Sequence, residues 1–226
     1  MENHKKIRKY NLNQYNFTKI VQEAFNCNEL NKIHLTNKDM LPNAKVLSRP
    51  WPLNETTTDF HSKFYKSLDA RWVELSNLFD NFIKNEIVNV VDEPFIYQKF
   101  PSFRIQVPGL KAVNKWHCDS DDDHRHPEGE INFIIAITEM FDNNTIWVES
   151  SPKLNDFQPL NLTPGEYVQF NGNKCIHGNK DNDTGLTRMS FDFRILPLKN
   201  YNPKKNKNSA TRGNKFEIGG YYKEIK

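Results

Sequence analysis

The sequence has few of the features that mark secreted or membrane proteins. It contains three cysteines, Cys27, Cys118 and Cys175, and this odd number at wide spacings favours a reduced intracellular protein over a disulfide framework. The longest apolar run, residues 133–138, is far too short to span a bilayer. No apolar segment follows the basic N-terminal stretch, so we expect no signal peptide and a cytoplasmic location.

The chain also lacks a strong excess of charge of either sign. Its 31 basic and 28 acidic residues leave a formal net charge of +3. Because there is no basic stripe, a nucleic-acid partner is the weaker hypothesis and a small-molecule substrate the stronger one. The 16 Phe, 8 Tyr and 4 Trp supply core material, and 226 residues are enough for one domain. The sequence does not indicate an oligomeric state.

Residues 1–92 are predicted to be mainly helical. Apolar residues that recur every three or four positions predict one long helix, and they are Phe60, Phe64, Leu68, Trp72, Leu75, Phe79 and Phe82. Thr56, Thr57 and Thr58, just upstream, are candidate helix caps. A shorter helix is predicted over residues 18–25. We expect these helices to pack on a sheet.

The sequence pattern of residues 93–198 is typical of short strands separated by turns. Alternating or continuous apolar patterns predict strands at residues 102–107, 131–138, 145–149, 167–170 and 187–196. Many short strands with regular turns indicate an all-β sandwich or barrel. The tail, residues 199–226, is rich in Lys, Asn and Gly, so we expect it to be loosely held. Its basic run, residues 203–207, is more typical of a solvated segment than of a phosphate contact.

Three residues form a candidate metal site. In a strand, residues two apart point the same way, so His117 and Asp119 face one side and Cys118 the other. His177, 58 residues after Asp119, is the best candidate for a third ligand. Two imidazoles and one carboxylate leave coordination positions open, as in non-haem Fe(II) oxygenases.

The acidic run that follows Asp119 offers competing ligands. Its carboxylates match positions 1, 3, 5 and 12 of a calcium loop, but His124 stands where an EF-hand requires glycine. The next segment is β-like rather than an amphipathic helix, so the EF-hand hypothesis is rejected. We expect the rest of the run, including His124 and His126, to be a solvated loop.

Arg188 is a candidate for binding an acidic co-substrate. It lies eleven residues after His177 on the next predicted strand, and Ser190 shares its face. A guanidinium can form a bidentate pair with the far carboxylate of a 2-oxo acid, and a serine hydroxyl can donate to the same group. Most lone arginines make an ordinary surface ion pair. The upstream His-x-Asp pattern favours the co-substrate hypothesis here.

Several polar side chains within the predicted strands have two explanations. A buried polar group must find a partner or line a cavity, so core hydrogen bonding explains each as well as ligand contact does. The residues concerned are Asn132, Thr145, Trp147, Glu149, Arg104 and Gln106. Arg104 poses the question most sharply, because a charge that faces a barrel interior is costly without an anionic partner.

Over residues 97–197 the chain resembles the Fe(II)/2-oxoglutarate-dependent oxygenases of the double-stranded β-helix (jelly-roll, cupin-like) fold. The resemblance rests on the segments WHCDSD, GEINF, NTIWVES, PGEYVQFNGN, CIHGN and TRMSFDFR. Within the superfamily, the sequence of these segments is most like the streptomycin-biosynthesis (StrG-like) branch. It implies a mainly β core with the N-terminal helices packed on the sheet. It also implies that His117, Asp119 and His177 hold Fe(II).

The resemblance further implies that Arg188, with Ser190 or Thr145, binds the distal carboxylate of 2-oxoglutarate. Asn132 and Arg104 would lie near the co-substrate or substrate, and Gln106 and Trp147 complete the candidate substrate contacts. The implied activity is a dioxygenase that uses O2 and 2-oxoglutarate to hydroxylate a small polar metabolite, such as a sugar, aminocyclitol or amino-acid derivative. Two alternatives stay open: a cupin-type metalloenzyme that does not use 2-oxoglutarate, and a non-catalytic binding module.

Overall fold

The computed structural model describes residues 5–38, 59–68, 72–109, 116–204, 208 and 214–225. The α-helices in this part of the chain are α1 (Phe17–Phe25), α2 (Ile33–Thr36), α3 (Asp59–Ser67) and α4 (Trp72–Phe82). A π-helical turn, Ile83–Ile87, continues α4. None of the described helices is both long and apolar enough to cross a membrane.

The strands form two antiparallel sheets. They are β1 (Lys6–Lys9), β2 (Phe95–Gln98), β3 (Ser102–Gln106), β4 (Ile131–Ala136), β5 (Ile146–Val148), β6 (Gln158–Pro159), β7 (Glu166–Phe170), β8 (His177–Asn179), β9 (Arg188–Pro197) and β10 (Tyr222–Glu224). The large sheet has seven strands in the order β1-β7-β4-β9-β2-β10, and β3 also pairs with β9. The small sheet has the order β6-β5-β8. The protein is therefore mainly β with a few helices, as predicted.

One face of the large sheet is covered by the helices. Alternate residues of β9, among them Phe191 and Phe193, belong to a buried apolar cluster that includes residues from α1, α3 and α4. Phe64 of α3 stacks on Phe103 of β3 with ring centroids 4.0 Å apart, and Phe79 of α4 meets Phe193 edge-on at 5.1 Å. Each fully buried side chain of this size contributes about 1.5–3 kcal/mol, so this layer carries much of the stability.

The small sheet packs against the other face of the large sheet. A second apolar cluster joins Ile134 of β4 and Val168 of β7 to Val148 of β5 and to Leu160. The even-numbered residues of β9, beginning with Arg188, point into this layer because strand residues alternate between faces. Polar side chains therefore lie between the two sheets.

The helix predictions are confirmed in part. The predicted helix over residues 18–25 corresponds to α1. The predicted single long helix is instead two, α3 and α4, because helical structure ends at Ser67. Phe60, Phe64, Leu75, Phe79 and Phe82 are buried, as their spacing predicted. The candidate caps, residues 56–58, lie outside the described residues.

The expectation of a loosely held tail is wrong for residues 214–225. Strand β10 pairs with β2, and Tyr222 is fully buried beside Ile96, Leu196 and Phe216. Pairing with a strand that is distant in sequence and burial of aromatic side chains hold this segment in place, although its composition predicted neither. Of the basic run, Pro203 and Lys204 are exposed, and residues 205–207 lie outside the described residues.

Candidate metal centre

Two histidines and one aspartate from distant parts of the chain meet at the edge of the small sheet. The backbone N–H of His117 donates to the carbonyl of His177 (3.1 Å), that of His177 donates back (2.9 Å), and that of Asp119 donates to Gly172 (2.9 Å). These bonds place the Nε2 atoms of His117 and His177 at 3.6 and 3.7 Å from Asp119 Oδ1. The three ligand atoms all lie within 4.8 Å of one another.

The ring of His177 is held in the orientation that metal binding requires. Its Nδ1 lies 3.1 Å from the carbonyl oxygen of Cys175. A carbonyl can only accept, so Nδ1 carries the proton and Nε2 keeps its lone pair facing Asp119. Burial lowers the pKa of His177 to about 4, although the charge of Asp119 opposes this shift. The imidazole is therefore neutral at physiological pH, which is its metal-binding form.

Asp119 is buried and has its two oxygens in different environments. Its Oδ2 accepts from Asn132 Nδ2 (2.7 Å) and from Arg194 Nε (2.7 Å), whereas Oδ1 faces the two imidazoles. Burial alone would raise the pKa of Asp119, but Arg194 and a hydrogen bond with His117 hold it well below its usual range. The carboxylate is therefore ionised, as a ligand must be.

A chain of charged residues extends from Asp119 across the large sheet, and two of its members, Asp192 and Arg194, were not predicted from the sequence. Arg194 Nη1 donates to Asp192 Oδ2 (3.3 Å), and Arg104 of β3 donates through Nε to Asp192 Oδ1 (2.6 Å). Asp192 and Arg194 share a strand face with Arg188, so the TRMSFDFR segment carried the signal. The charge of Arg104 finds its anionic partner here.

The loop after Asp119 is more ordered than predicted. The ring of His124 stacks on that of His117, with centroids 4.1 Å apart and planes 18° from parallel. Asp121 Oδ1 accepts from the backbone N–H of His124 and lies 2.8 Å from its Nδ1. His126 Nδ1 lies 2.6 Å from the buried carboxylate of Glu130. The prediction that His124 and His126 are merely solvated is therefore wrong.

Asp119, His126 and Glu130 form a second group of potential metal ligands. The guanidinium of Arg194 already stands among them, with Nε 2.7 Å from Asp119 Oδ2 and 3.9 Å from Glu130 Oε2. A protein cation thus compensates these carboxylates, which leaves His117, Asp119 and His177 as the better candidate metal ligands.

Of the predicted co-substrate residues, Arg188 and Ser190 contact each other between the sheets. Arg188 is fully buried, and it donates through Nε to the carbonyl of Asn144 (3.1 Å) and through Nη1 to the hydroxyl of Ser190 (3.2 Å). The hydroxyl of Thr145 donates to the carbonyl of Leu160 (2.6 Å). Asn132 lies instead against Asp119. The role of these residues in binding a co-substrate stays a prediction.

The predicted substrate residues are more dispersed. Arg104 pairs with Asp192, and the amide of Gln106 donates to the carbonyl of Lys180 (2.7 Å). In the small sheet, Val148 pairs with His177 and Trp147 with Gly178, so Trp147 lies on the opposite face from His177. Trp147 Nε1 donates to the carbonyl of Asp142 (2.9 Å). Substrate contact by these residues also stays a prediction.

The donor set fits a divalent metal ion. It offers two imidazole nitrogens and one carboxylate oxygen, with the tautomer of His177 and the second oxygen of Asp119 already fixed by neighbours. Three ligands on one side leave coordination positions for exchangeable groups, as in non-haem Fe(II) sites. The residues present therefore fit iron.

This chain is similar in sequence to a known protein. The streptomycin biosynthesis protein StrG of Streptomyces griseus is 32% identical over 171 residues, which is 76% of this chain and 78% of StrG. No model of a protein family matches the sequence.

Similar solved structures are more remote. AviO1 from Streptomyces viridochromogenes Tue57 has a TM-score of 0.46 at 14% identity, over 88% of this chain and 93% of AviO1. The non-haem α-ketoglutarate-dependent carbocyclase SnoK from nogalamycin biosynthesis has a TM-score of 0.43 at 12% identity, over 54% of this chain and 59% of SnoK. Both TM-scores are too low to assign an activity from these likenesses.

Proposed function

The chain belongs to the family of the streptomycin biosynthesis protein StrG, and from this premise we propose that it is an Fe(II)- and 2-oxoglutarate-dependent dioxygenase. The observation that carries the proposal is the meeting of His117, Asp119 and His177, whose two imidazoles and one carboxylate are the ligand set of such enzymes. The proposal includes the finer fold: the two facing antiparallel sheets form a double-stranded β-helix.

The overall reaction inserts one oxygen atom into a substrate C–H bond. Substrate, O2 and 2-oxoglutarate give the hydroxylated substrate, succinate and CO2, so that each product except CO2 keeps one atom of O2. Iron, when bound, supplies the O2 chemistry, and the protein supplies orientation and exclusion of water. His117 and His177 bind as neutral imidazoles, and Asp119 binds as a carboxylate.

Arg188 binds the distal carboxylate of 2-oxoglutarate in this proposal. Its guanidinium is fully buried between the sheets, where a bidentate, charge-assisted pair is strong. Ser190 is the better second donor, since its hydroxyl is next to the guanidinium, whereas Thr145 directs its hydroxyl to the carbonyl of Leu160.

The substrate we propose is a small polar metabolite, such as a sugar, aminocyclitol or amino-acid derivative. Two observations support this class. The first is kinship with a protein of streptomycin biosynthesis. The second is the polar character of the large-sheet face near Asp119, where Arg104, Asp192 and Arg194 present charged groups.

The test is anaerobic calorimetry of Fe(II) and then 2-oxoglutarate binding, followed by measurement of succinate in air. Asp119→Ala should abolish Fe(II) binding and succinate formation. Arg188→Met should keep Fe(II) binding but weaken 2-oxoglutarate binding by about 30-fold or more, since a truncated charge pair costs about 2 kcal/mol or more. Arg8→Met, an arginine of β1 that contacts Gln169, is the matched control and should bind both normally.

Three results would contradict the proposal. Succinate formation that persists in Asp119→Ala removes the metal assignment, and unchanged 2-oxoglutarate affinity in folded Arg188→Met removes the co-substrate assignment. Arg188→Lys repeats the second test if the methionine variant fails to fold, because lysine keeps the charge but loses the planar fork. Fe(II) binding without any 2-oxoglutarate binding would favour the cupin-type alternative.

A further inference from the structure

Arg194 lies against Asp119, a proposed metal ligand, yet the function proposed above gives it no role at the metal. We propose that Arg194 and Asn132 are positioning residues that hold Asp119 by Oδ2, so that Asp119 presents a single oxygen, Oδ1, to the metal. The C-terminal segment, residues 214–225, keeps Arg194 in place through Tyr221. This inference rests on the proposed function for the identity of the metal, but the contacts of Asp119 on which it is based do not depend on the co-substrate.

The pairing of β4 with β9 explains why two donors converge on one oxygen. Asn132 and Arg194 are directly opposite each other in the antiparallel register, so their side chains leave the same face of the large sheet side by side. Both donate to Asp119 Oδ2 at 2.7 Å. Turning Oδ2 towards the metal would break both bonds at a site that is 1% exposed, where little water could replace them.

Arg194 is itself held from two sides. Its Nη1 donates to Asp192 Oδ2 (3.3 Å) and to the hydroxyl oxygen of Tyr221 (3.5 Å). The Tyr221 hydroxyl donates in turn to Gln98 Oε1 of β2 (2.8 Å), which leaves its oxygen free to accept. Tyr221 directly precedes β10, so the pairing of β10 with β2 sets its position.

The neighbouring residue ties the same segment to the other buried carboxylate. The hydroxyl of Tyr222 donates to Glu130 Oε1, and Glu130 Oε2 lies 3.9 Å from Arg194 Nε. Two consecutive tyrosines of the C-terminal segment therefore contact Arg194 and Glu130 respectively. This segment completes the metal centre although no residue in it is a ligand.

A test needs substitutions that separate geometry from charge. Replacing Arg194 by a neutral residue would remove a hydrogen bond and also a positive charge that repels the metal, and these two losses change affinity in opposite directions. Arg194→Lys keeps the charge and loses the planar fork. Asn132→Ala removes the second donor without changing any charge. These two variants therefore report on orientation.

The experiment uses Co(II) and the full chain without 2-oxoglutarate. Affinity comes from titration and coordination geometry from the visible absorption spectrum. Asn132→Ala and Arg194→Lys should each bind Co(II) about tenfold more weakly, as is usual for residues that orient a ligand. Their spectra should also change, because the freed carboxylate can use both oxygens. Tyr221→Phe should give a smaller change in the same direction.

Lys223→Met is the matched control, because Lys223 lies on β10 but pairs with Asp80, away from the metal ligands. It should match the parent protein in affinity and spectrum. Parent affinity and spectrum in both Asn132→Ala and Arg194→Lys would overturn the inference. If Arg194→Lys does not fold, as judged by circular dichroism, Asn132→Ala decides alone.

The two proposals can fail separately. A parent protein that binds Co(II) and gives the expected variant spectra, but forms no succinate, overturns the dioxygenase function and leaves the positioning role intact. Normal succinate formation together with unaltered Co(II) spectra in the variants overturns the positioning role alone.

Discussion

The two faces of β9 are both largely buried, yet one is apolar and the other is mostly polar. Met189, Phe191, Phe193 and Ile195 point towards the helices and are wholly inaccessible to solvent. On the other face, Arg188 and Ser190 are equally inaccessible, and Asp192 is 9% exposed. One strand therefore separates an apolar layer from a charged one.

This difference indicates what each layer tolerates. An apolar layer needs volume and shape, and similar side chains can substitute for one another at small cost. Every buried polar group needs a partner at the right distance, and a missing partner leaves an uncompensated donor or acceptor. The helix-side face should therefore respond to changes in volume, and the opposite face to changes in geometry.

The largest effect should come from the apolar face. Phe193 stacks on Phe133 with centroids 5.0 Å apart and planes 7° from parallel. Phe193→Ala should lower the free energy of unfolding by about 3–5 kcal/mol, since it leaves a cavity. Urea denaturation measures this loss, and Co(II) affinity of the folded fraction should stay normal. A simultaneous loss of Co(II) affinity would show that the two layers are not independent.

On the polar face, Asp192→Asn should cause a smaller loss of stability, together with a loss of Co(II) affinity. The substitution removes the charge that Arg104 and Arg194 share. We expect a loss of about 1.5–3 kcal/mol, the range for a hydrogen bond to a charged group. Unlike Phe193→Ala, this variant should also bind Co(II) more weakly, because Arg194 is less firmly held.

An exposed ion pair provides the control for Asp192→Asn. Glu93 pairs with Lys199, whose side chain is 68% exposed. Glu93→Gln should change stability by about 0.5 kcal/mol or less. Equal losses in Asp192→Asn and Glu93→Gln would mean that burial adds nothing to the Asp192 pairs.

Local patterns in the sequence predicted much of this arrangement. Alternation along residues 187–196 predicted the strand β9, and the His-x-Asp pattern with His177 and Arg188 predicted the candidate site. The orientation of Asp119 was not predictable in this way, because Arg194 lies 75 residues from Asp119 along the chain. The docking of residues 214–225 depends on pairing with β2, which composition does not reveal.

A glycine near the metal centre tests the polar face more finely. A Cβ atom at Gly172 would lie 2.8 Å from Asn132 Cγ and 2.9 Å from a ring carbon of Phe170. Gly172→Ala should therefore displace the Asn132 amide from Asp119. We expect Co(II) affinity to fall about tenfold, or roughly 1.4 kcal/mol, as measured by titration.

A double-mutant cycle identifies the cause of that effect. If Gly172→Ala acts by displacing Asn132, it should weaken Co(II) binding little further in the Asn132→Ala background. Fully additive losses would show instead that the alanine disturbs Asp119 through the Gly172 carbonyl, which accepts from the Asp119 backbone N–H.

Apart from the Glu93 control, the smallest effect should come from the face of the small sheet that lies opposite His177. Lys180 Nζ sits 3.2 Å from the centroid of the Trp147 ring. Lys180→Met should lower the free energy of unfolding by about 0.5–1 kcal/mol, the range for a cation–π contact at an accessible site. Urea denaturation measures that loss, and titration should find Co(II) affinity unchanged, because Trp147 and His177 lie on opposite faces.

A fall in Co(II) affinity would show that geometry on this face is transmitted to the metal centre. The region in which Co(II) binding depends on side-chain geometry would then include the outer face of the small sheet as well as the polar face of β9.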